Sequence, residues 1–470
     1  MAFWDLGAPP GDIALIGRNG ETHSYGEMAA AADALAAELP ARGERSLGFL
    51  VLQPSFEAVA AYLGCLRSRR HVPLLVQQGV NPQLLAHLAE VYRPDWLMLP
   101  AGGEAPAGYR AVWAGETDSI WESDAEDAPA LHPDLALLLS TSGSTGSEKL
   151  VRLAYSALAS NAAAIVRYLE MERGDRTVTT LPLGYSFGMS ILNSYLEAGA
   201  SIVLTGESLM SRDFWRLAAD HGISSLSGVP STFEMLRRVG LEKRGLTRLK
   251  TLTQAGGAMR PDLTRMFEAL ARDNGWRLFV MYGQTEAAPR ISYVPPERLR
   301  DKVGSIGIAI PGGTLEVDPA TSELVYRGPN VMMGYAERRE QLAQGDECGG
   351  TLRTGDLGER DSDGYFYLKG RLKRFIKISG ARINLDTVEI GLSERHGSQM
   401  VCTGADDRLC VWLLDDAAAA EATVLASLRE MFDIFPGFAS VSRIATFPLT
   451  ANGKIDYRSF ALRSNDRESP

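Results

Sequence analysis

This chain is poor in the residues that build metal clusters and disulfide scaffolds. Its 470 residues hold four cysteines, Cys65, Cys348, Cys402 and Cys410, and six histidines. There is no Cys-x-x-Cys pair, no zinc-ligand spacing and no His-x-x-x-His pair, which sets aside a thiolate- or imidazole-built metal centre. Each cysteine reads as a buried or unreactive thiol. No apolar run reaches the ~18 residues of a membrane span. Asp5 and the Gly-Ala-Pro-Pro that follows interrupt any N-terminal apolar run, so no signal segment is read and a cytoplasmic protein is expected. Basic excess is also missing. The net charge is −10 and is spread along the chain, which argues against a nucleic-acid partner. Small anionic ligands remain open, since they need only a local basic site. Internal repeats and low-complexity tracts are absent.

What is present is globular. Hydrophobic residues make up 45% and charged residues 23%, and the length supports a large core in two or more domains. From about Pro133 to Glu286, short apolar runs alternate with helix-like segments. The runs are Leu135–Leu139, Thr177–Leu183, Ser201–Thr205, Ile223–Val229, Thr251–Gln254 and Leu278–Tyr282. The helical segments include Ser156–Leu169, Arg212–Asp220 and Pro261–Asn274, where Pro261 suits a first helical turn. Such alternation predicts an α/β fold with layered, mostly parallel sheets. Ligands gather at the carboxyl ends of such strands. The unusual loops begin there, at Ser140, Leu183, Val229, Gln254 and Tyr282. The first ~130 residues read as another α/β layer, with a helix start at Ser24 and a helical Ala29–Leu39. Beyond Val317 strands and turns take over. The basic segment Lys369-Gly-Arg-Leu-Lys-Arg-Phe-Ile-Lys377 is a plausible junction. Residues 1–372 are expected to form one large domain and 373–470 a small α+β domain.

One loop stands out chemically. Thr141-Ser-Gly-Ser-Thr-Gly-Ser-Glu-Lys149 packs two glycines and five hydroxyl residues ahead of a lysine. Glycines let backbone N–H groups approach an anion, hydroxyls add donors, and lysine adds a point charge suited to phosphate. Its spacing is not that of a Walker A loop, because Ser147 and Glu148 separate Gly146 from Lys149 and Leu150 follows. By itself it is equally a polar surface loop.

Further punctuated segments follow in order: Leu181-Pro-Leu-Gly-Tyr-Ser-Phe-Gly188, Gln254-Ala-Gly-Gly257, Tyr282-Gly-Gln-Thr-Glu286, Thr354-Gly-Asp356, Gly370-Arg371 and Ala451-Asn-Gly-Lys454. With the loop at 141–149, this set resembles the adenylate-forming superfamily of acyl- and aryl-CoA synthetases, peptide-synthetase adenylation domains and beetle luciferases. The resemblance covers nearly the whole chain. It implies a large N-terminal AMP-binding domain, a hinge and a mobile C-terminal lid. It also implies a two-step reaction: ATP and a carboxylate give an acyl-adenylate and pyrophosphate, and a thiol or amine then displaces AMP.

The roles the resemblance implies are these. Thr141, Ser142, Gly143, Ser144, Thr145, Gly146 and Lys149 hold the β- and γ-phosphates, although many relatives carry a proline before the lysine and a glycine after it. Gly256, Tyr282, Gly283, Gln284 and Thr285 belong to the nucleotide site, with Tyr282 near adenine. Glu286 holds Mg²⁺, a cation that binds through few carboxylates plus phosphate oxygens. Asp356 accepts the ribose hydroxyls, and Arg371 contacts ribose or phosphate. Lys373 is the hinge residue, and Gly-Arg-Leu-Lys looks like the acyl/aryl-CoA ligase branch. Lys454 is the lid lysine that reaches the α-phosphate and the substrate carboxylate. Ser379 and Gly380 line the thiol tunnel.

The acid pocket is read at Tyr185, Phe187, Gly188, Ser227, Gly228 and Gly257. α-Amino-acid-activating relatives carry an aspartate where Gly188 stands, to pair with the ammonium group. Its replacement by glycine points to an acid without a free α-ammonium. Many acyl-CoA synthetases carry histidine where Tyr185 stands. The expected function is therefore ATP- and Mg²⁺-dependent ligation of a small carboxylic acid to a thiol, with CoA as the leading acceptor. The phosphopantetheine arm of a separate acyl-carrier protein is the runner-up. Amide synthesis and a catalytically silent nucleotide-binding scaffold are the further alternatives, and the retained Lys149, Glu286, Asp356, Arg371 and Lys454 argue against the last.

Overall fold

The computed structural model describes residues 2–125, 129–140, 149–372, 374–450, 455–457 and 459–460. They fall into two compact units. The first comprises Met1–Val303, Ala309–Thr314 and Tyr326–Leu352, and the second Gly304–Ile308, Leu315–Val325 and Arg353–Pro470. The second unit thus draws the segment expected as a lid together with shorter pieces that precede it. The fold class is the expected α/β one.

In the first unit the alternating pattern becomes a parallel array. Strands Arg277–Gly283, Thr251–Gln254, Ser225–Gly228, Arg176–Val178, Ser201–Val203 and Ile13–Ile16 lie side by side in that order, all parallel. Helices Arg212–Asp220, Pro230–Val239 and Pro261–Asp273 make crossovers, and Pro230 and Pro261 open theirs where the missing N–H is not needed. Registers align Gly228 with Gln254 and Gln254 with Val280, so Ser225–Gly228 and Thr251–Gln254 end level and Arg277–Gly283 runs on past them. Arg290–Val294 returns antiparallel along Arg277–Gly283. The run expected as a strand to Leu183 stops at Val178, and Pro182 and Gly184 turn the chain into a helix over Ser186–Glu197.

A second sheet in this unit follows the order Gly334–Ala336, Leu150–Ala154, Leu135–Ser140, His71–Val76, Ser46–Val51, Trp96–Pro100, Asp118–Ser123, Tyr109–Ala114. Its central strands are buried on both faces, which explains their continuous apolar runs. Ser24 caps helix Tyr25–Glu38 in a reciprocal box with Glu27, as its sequence signature indicates.

In the second unit, Asp356–Arg360, the end of strand Thr351–Arg360, pairs antiparallel with strand Phe366–Arg371. Downstream, Met400–Ala405, Arg408–Leu414 and Ala439–Ile444 make a small mixed sheet against helices Leu385–His396 and Glu421–Phe432. Val388, Leu392, Val411, Val424 and Leu428 fill its core. Arg374 is fixed by Asp386, by Glu389 at 2.9 Å and by the Tyr457 ring 3.7 Å away. Cys65, Cys402 and Cys410 are buried and Cys348 is half-buried, all as free thiols. No helix among the described residues is long and apolar enough to cross a membrane.

His71 is 1% exposed, with Nδ1 2.7 Å from the Ser46 hydroxyl and its ring edge-on to Trp96. Burial pushes its imidazole down from 6.5 to about 4, and Arg70 and Arg45 add repulsion. The unfolded chain therefore binds a proton at 6.5 that the folded chain refuses until about 4. The resulting stability is full above 6.5 and is lost as pH falls from 6.5 to about 4, on the order of 3 kcal/mol. Unfolding free energies measured across that window should show the gap between the wild type and His71→Gln narrowing as pH falls. A gap independent of pH would mean that His71 titrates alike in the folded and unfolded chain, so that burial does not shift it.

Candidate active site

The glycine- and hydroxyl-rich loop joins two strands rather than a strand and a helix. Ser140 and Leu150 are antiparallel partners at the ends of Leu135–Ser140 and Leu150–Ala154. This is the structural reason that the loop differs from a Walker A loop, which opens a helix. Thr141, Ser142, Gly143, Ser144, Thr145 and Gly146 lie outside the described residues, as do Lys373 and Lys454.

Lys149 emerges from this hairpin into a charged cluster. Its Nζ lies 2.6 Å from Glu337 Oε1 and 6.0 Å from the centre of the Tyr335 ring. Strand Gly334–Ala336 pairs antiparallel with Leu150–Ala154, setting Tyr335 opposite Val151. The Tyr335 hydroxyl donates to Glu286 Oε1 at 2.8 Å, and the Glu286 carbonyl accepts from the Met332 N–H at 2.9 Å. Desolvation and the adjoining Glu286 carboxylate both push the Tyr335 phenol up, so it stays a neutral donor. The Lys149 ammonium holds Glu337 below the usual carboxylate range. Among the described residues, Tyr335 supplies the one hydrogen bond to the Glu286 carboxylate. A half-buried carboxylate so oriented, with a lysine close by, is a donor set that fits Mg²⁺ carried on phosphates. No set of three or more acidic, histidine or cysteine side chains among the described residues could hold a metal ion by itself.

The segment Tyr282–Glu286 begins in the last two residues of strand Arg277–Gly283 and runs on into a turn. Gln284 Nε2 donates to the Tyr282 hydroxyl at 3.1 Å, and Gln284 N donates to the Pro289 carbonyl at 2.9 Å. Thr285 Oγ1 reaches Ser186 Oγ at 3.2 Å, tying this turn to the start of helix Ser186–Glu197. That helix is buried almost all round, and Tyr185 precedes it as N-cap. Gly188 sits in its first turn, where a Cβ would lie 2.1 Å from the Pro182 carbonyl oxygen. No side chain fits there without a backbone shift. Gly256 has φ +82°, and a Cβ there would meet the Tyr185 hydroxyl and Val229 Cγ1 at 2.9 Å each. Tyr185 thus reaches the Gly256 backbone, and its ring stands edge-on to Phe187, 6.5 Å between centres. Gly257 packs on Pro230, and its carbonyl accepts from Gln254 Nε2 at 2.8 Å. The buried hydroxyl of Ser227 accepts from Thr253 Oγ1 at 2.8 Å.

In the second unit Asp356 and Arg371 are cross-strand partners, Nε to Oδ1 3.3 Å, with Asp356 nearly buried and Arg371 exposed. Asp356 N donates to Thr354 Oγ1 at 3.1 Å, and Arg371 N donates to Asp386 Oδ2 at 2.9 Å. Ser379 and Gly380 form the two-residue turn between Phe375–Ile378 and Ala381–Asn384, with φ +50° and +83°, the signs of a type I′ hairpin. Ser379 N donates to Asp407 Oδ1 at 2.7 Å.

Sequence reasoning missed Tyr335, Glu337 and Arg290. The first two reach Lys149 and Glu286 through strand pairing across more than a hundred residues, which no local pattern announces. Arg290 follows Glu286 closely and was readable as a charged residue within an otherwise apolar strand.

A family model described as AMP-binding enzyme matches residues 3–336. The chain is 34% identical to the indoleacetate–CoA ligase of Aromatoleum aromaticum over 57% of its own length and 53% of that protein. It is 28% identical to the non-ribosomal peptide synthetase CmlP of Streptomyces venezuelae over 93% of its length and 46% of that protein. It therefore spans about half the length of these curated relatives. The solved o-succinylbenzoate CoA synthetase of Bacillus subtilis, in complex with its acyl-adenylate intermediate, shares the fold with a TM-score of 0.78 at 21% identity. That alignment covers 98% of both chains.

The packing at Gly188 makes a direct prediction. Gly188→Ala should destabilise the first unit by roughly 1–3 kcal/mol or more, because the new methyl must displace the Pro182 carbonyl. Denaturant unfolding measures this, and unchanged stability would mean that the helix start is free to move.

Proposed function

Since this chain belongs to the AMP-binding enzyme family, we propose that it activates a carboxylic acid as an acyl-adenylate and transfers the acyl group to a thiol. The observation that carries this reading is the Lys149–Glu286–Tyr335 cluster beside the Tyr282–Glu286 turn. It joins a phosphate-suited cation to an oriented carboxylate. When bound, Mg²⁺ supplies charge neutralisation on the phosphates.

On this reading a carboxylate oxygen of the acid attacks the α-phosphorus of ATP and pyrophosphate leaves. The acid is a poor electrophile, and joining it to AMP gives it a good leaving group. Lys149 binds phosphate charge, and Glu286 is the carboxylate offered to Mg²⁺. Asp356 accepts the ribose hydroxyls, and Arg371 stands beside it. Lys454 places a cation where two anions are forced together, which lowers the barrier to their reaction. The thiolate then attacks the acyl carbon and AMP departs. Exchange of Lys454 for the loop at Ser379–Gly380 between the two steps would let one site serve both. CoA is the proposed acceptor. The match to CmlP over nearly the whole chain favours a carrier-protein thiol as the second reading.

The substrate is proposed to lack a free α-ammonium. Where amino-acid-activating relatives are expected to hold the ammonium with an aspartate, this chain has Gly188, whose surroundings admit no carboxylate side chain. A buried ammonium left without its partner is strongly disfavoured.

Carboxylate-dependent ATP–pyrophosphate exchange tests the first step across fatty, aryl, hydroxy and amino acids. Exchange is expected with a non-amino acid. Lys454→Ala should lower exchange by at least ~100-fold while largely sparing thiolysis of supplied acyl-AMP. Equal loss of both half-reactions would contradict the assignment of Lys454 to adenylation alone.

A further inference from the structure

Three arginines of the first unit are almost fully buried, and two of them are satisfied in the same way. Arg152, 0% exposed, pairs with Glu347 at 2.7 Å and donates to the carbonyls of Met333, Tyr335, Gln344 and Gly345. Arg339, also 0% exposed, pairs with Asp95 at 3.0 Å and donates to the carbonyls of Tyr92 and Arg93. Each receives a carboxylate and backbone oxygens, which is what a structural guanidinium requires.

Arg290 is 2% exposed and has neither. Among the described residues no carboxylate pairs with it and no backbone carbonyl accepts from its guanidinium. Its Nε is buried without any hydrogen-bond partner. Arg339 shares an unbonded Nε, but both of its Nη atoms are engaged. What faces the Arg290 guanidinium is the ring of Phe187, 4.8 Å from Cζ to ring centre, and the hydroxyl of Tyr168. A ring face and one neutral hydroxyl do not neutralise a buried cation.

The position of this cation is built rather than incidental. Arg290 opens strand Arg290–Val294 opposite Gly283. Its carbonyl is clamped by Asn330 Nδ2 at 2.8 Å and Asn161 Nδ2 at 3.2 Å, which also hold the Ala287 carbonyl. The backbone is thus fixed, and the side chain lies against Phe187. Phe187 stands edge-on to Tyr185, whose hydroxyl lies beside Gly256, and directly follows Ser186, which accepts from Thr285 Oγ1. The unpaired guanidinium therefore belongs to the wall on which the acid pocket was read.

We propose that the acid carries a second anionic group at its far end, and that Arg290 binds it. The chemical class is a dicarboxylic acid activated at one end, or a carboxylic acid with a terminal sulfonate. Either offers two oxygens to the planar fork of donors. This assignment rests on the adenylating function proposed above. Arg290 is then the specificity-determining residue for the tail of the acid and takes no part in the bond changes at its head.

The test is pyrophosphate exchange by the full chain with matched acids: dicarboxylates, their mono-methyl esters, ω-sulfo acids and neutral acids of equal length. The expected result is that kcat/KM for an anionic-tailed acid exceeds that of its neutral isostere by at least ~100-fold. The arm with the higher value identifies carboxylate or sulfonate. In Arg290→Gln the ratio should collapse to within ~10-fold with the KM for ATP unchanged, and Arg290→Lys should keep part of it. A residue that merely props Phe187 would leave the ratio intact. Neutral acids equal to or better than anionic ones in the wild type overturn the proposal without any variant, and leave adenylation standing. Exchange with no acid at all overturns both.

Discussion

The shared register of three parallel strands is the constraint on which the first unit depends. Gly228 stands beside Gln254, and Gln254 beside Val280. Right-handed crossovers therefore deliver every following loop to one edge. Chemistry-bearing residues separated by a hundred positions, such as Tyr185, Gly256 and Thr285, become neighbours through that register. A slip of one residue in any of these strands would turn each site side chain to the opposite face.

Much of this edge was legible in the sequence because its determinants are local. Apolar runs of four to six residues, Gly-rich exits and a proline at the head of a helix mark each strand–turn–helix unit, and Arg212–Asp220 is the helix expected there. Helix Ser186–Glu197 was not legible. Nearly all of its residues are buried, so it carries no polar face, and Gly188 in its first turn reads as a breaker. That glycine is required by the close approach of Pro182, a contact between segments that no periodicity encodes. The same reason hid Tyr335 and Glu337, whose relation to Lys149 exists only once Gly334–Ala336 pairs with Leu150–Ala154.

The second unit shows local pattern and long-range pairing working together. The Ser379–Gly380 turn was singled out as a loop motif, and its positive φ values fit a two-residue hairpin that favours glycine at its second position. The contact of the Ser379 N–H with Asp407 depends on a turn far along the chain. Asp356 and Arg371 face one another because their strands are adjacent, and Thr354 orients the Asp356 backbone. Asp356 is nearly buried while Arg371 is exposed, so the carboxylate is held in place and its partner is the more adjustable of the two.

Charge distribution sharpens the same logic. With a net charge of −10, the chain as a whole repels anions. Recognition of anionic groups on the proposed reading must then rest on a few cations held at short range, where desolvation makes each one count for more. Lys149 is exposed enough to exchange partners, and Glu337 neutralises it. Arg290 differs in kind: it is buried, its backbone is clamped by two asparagines, and among the described residues no carboxylate pairs with it. A cation that can swap partners suits phosphates that enter and leave. A cation fixed in the interior suits the recognition of one particular group, because only a ligand of matching charge and shape relieves it.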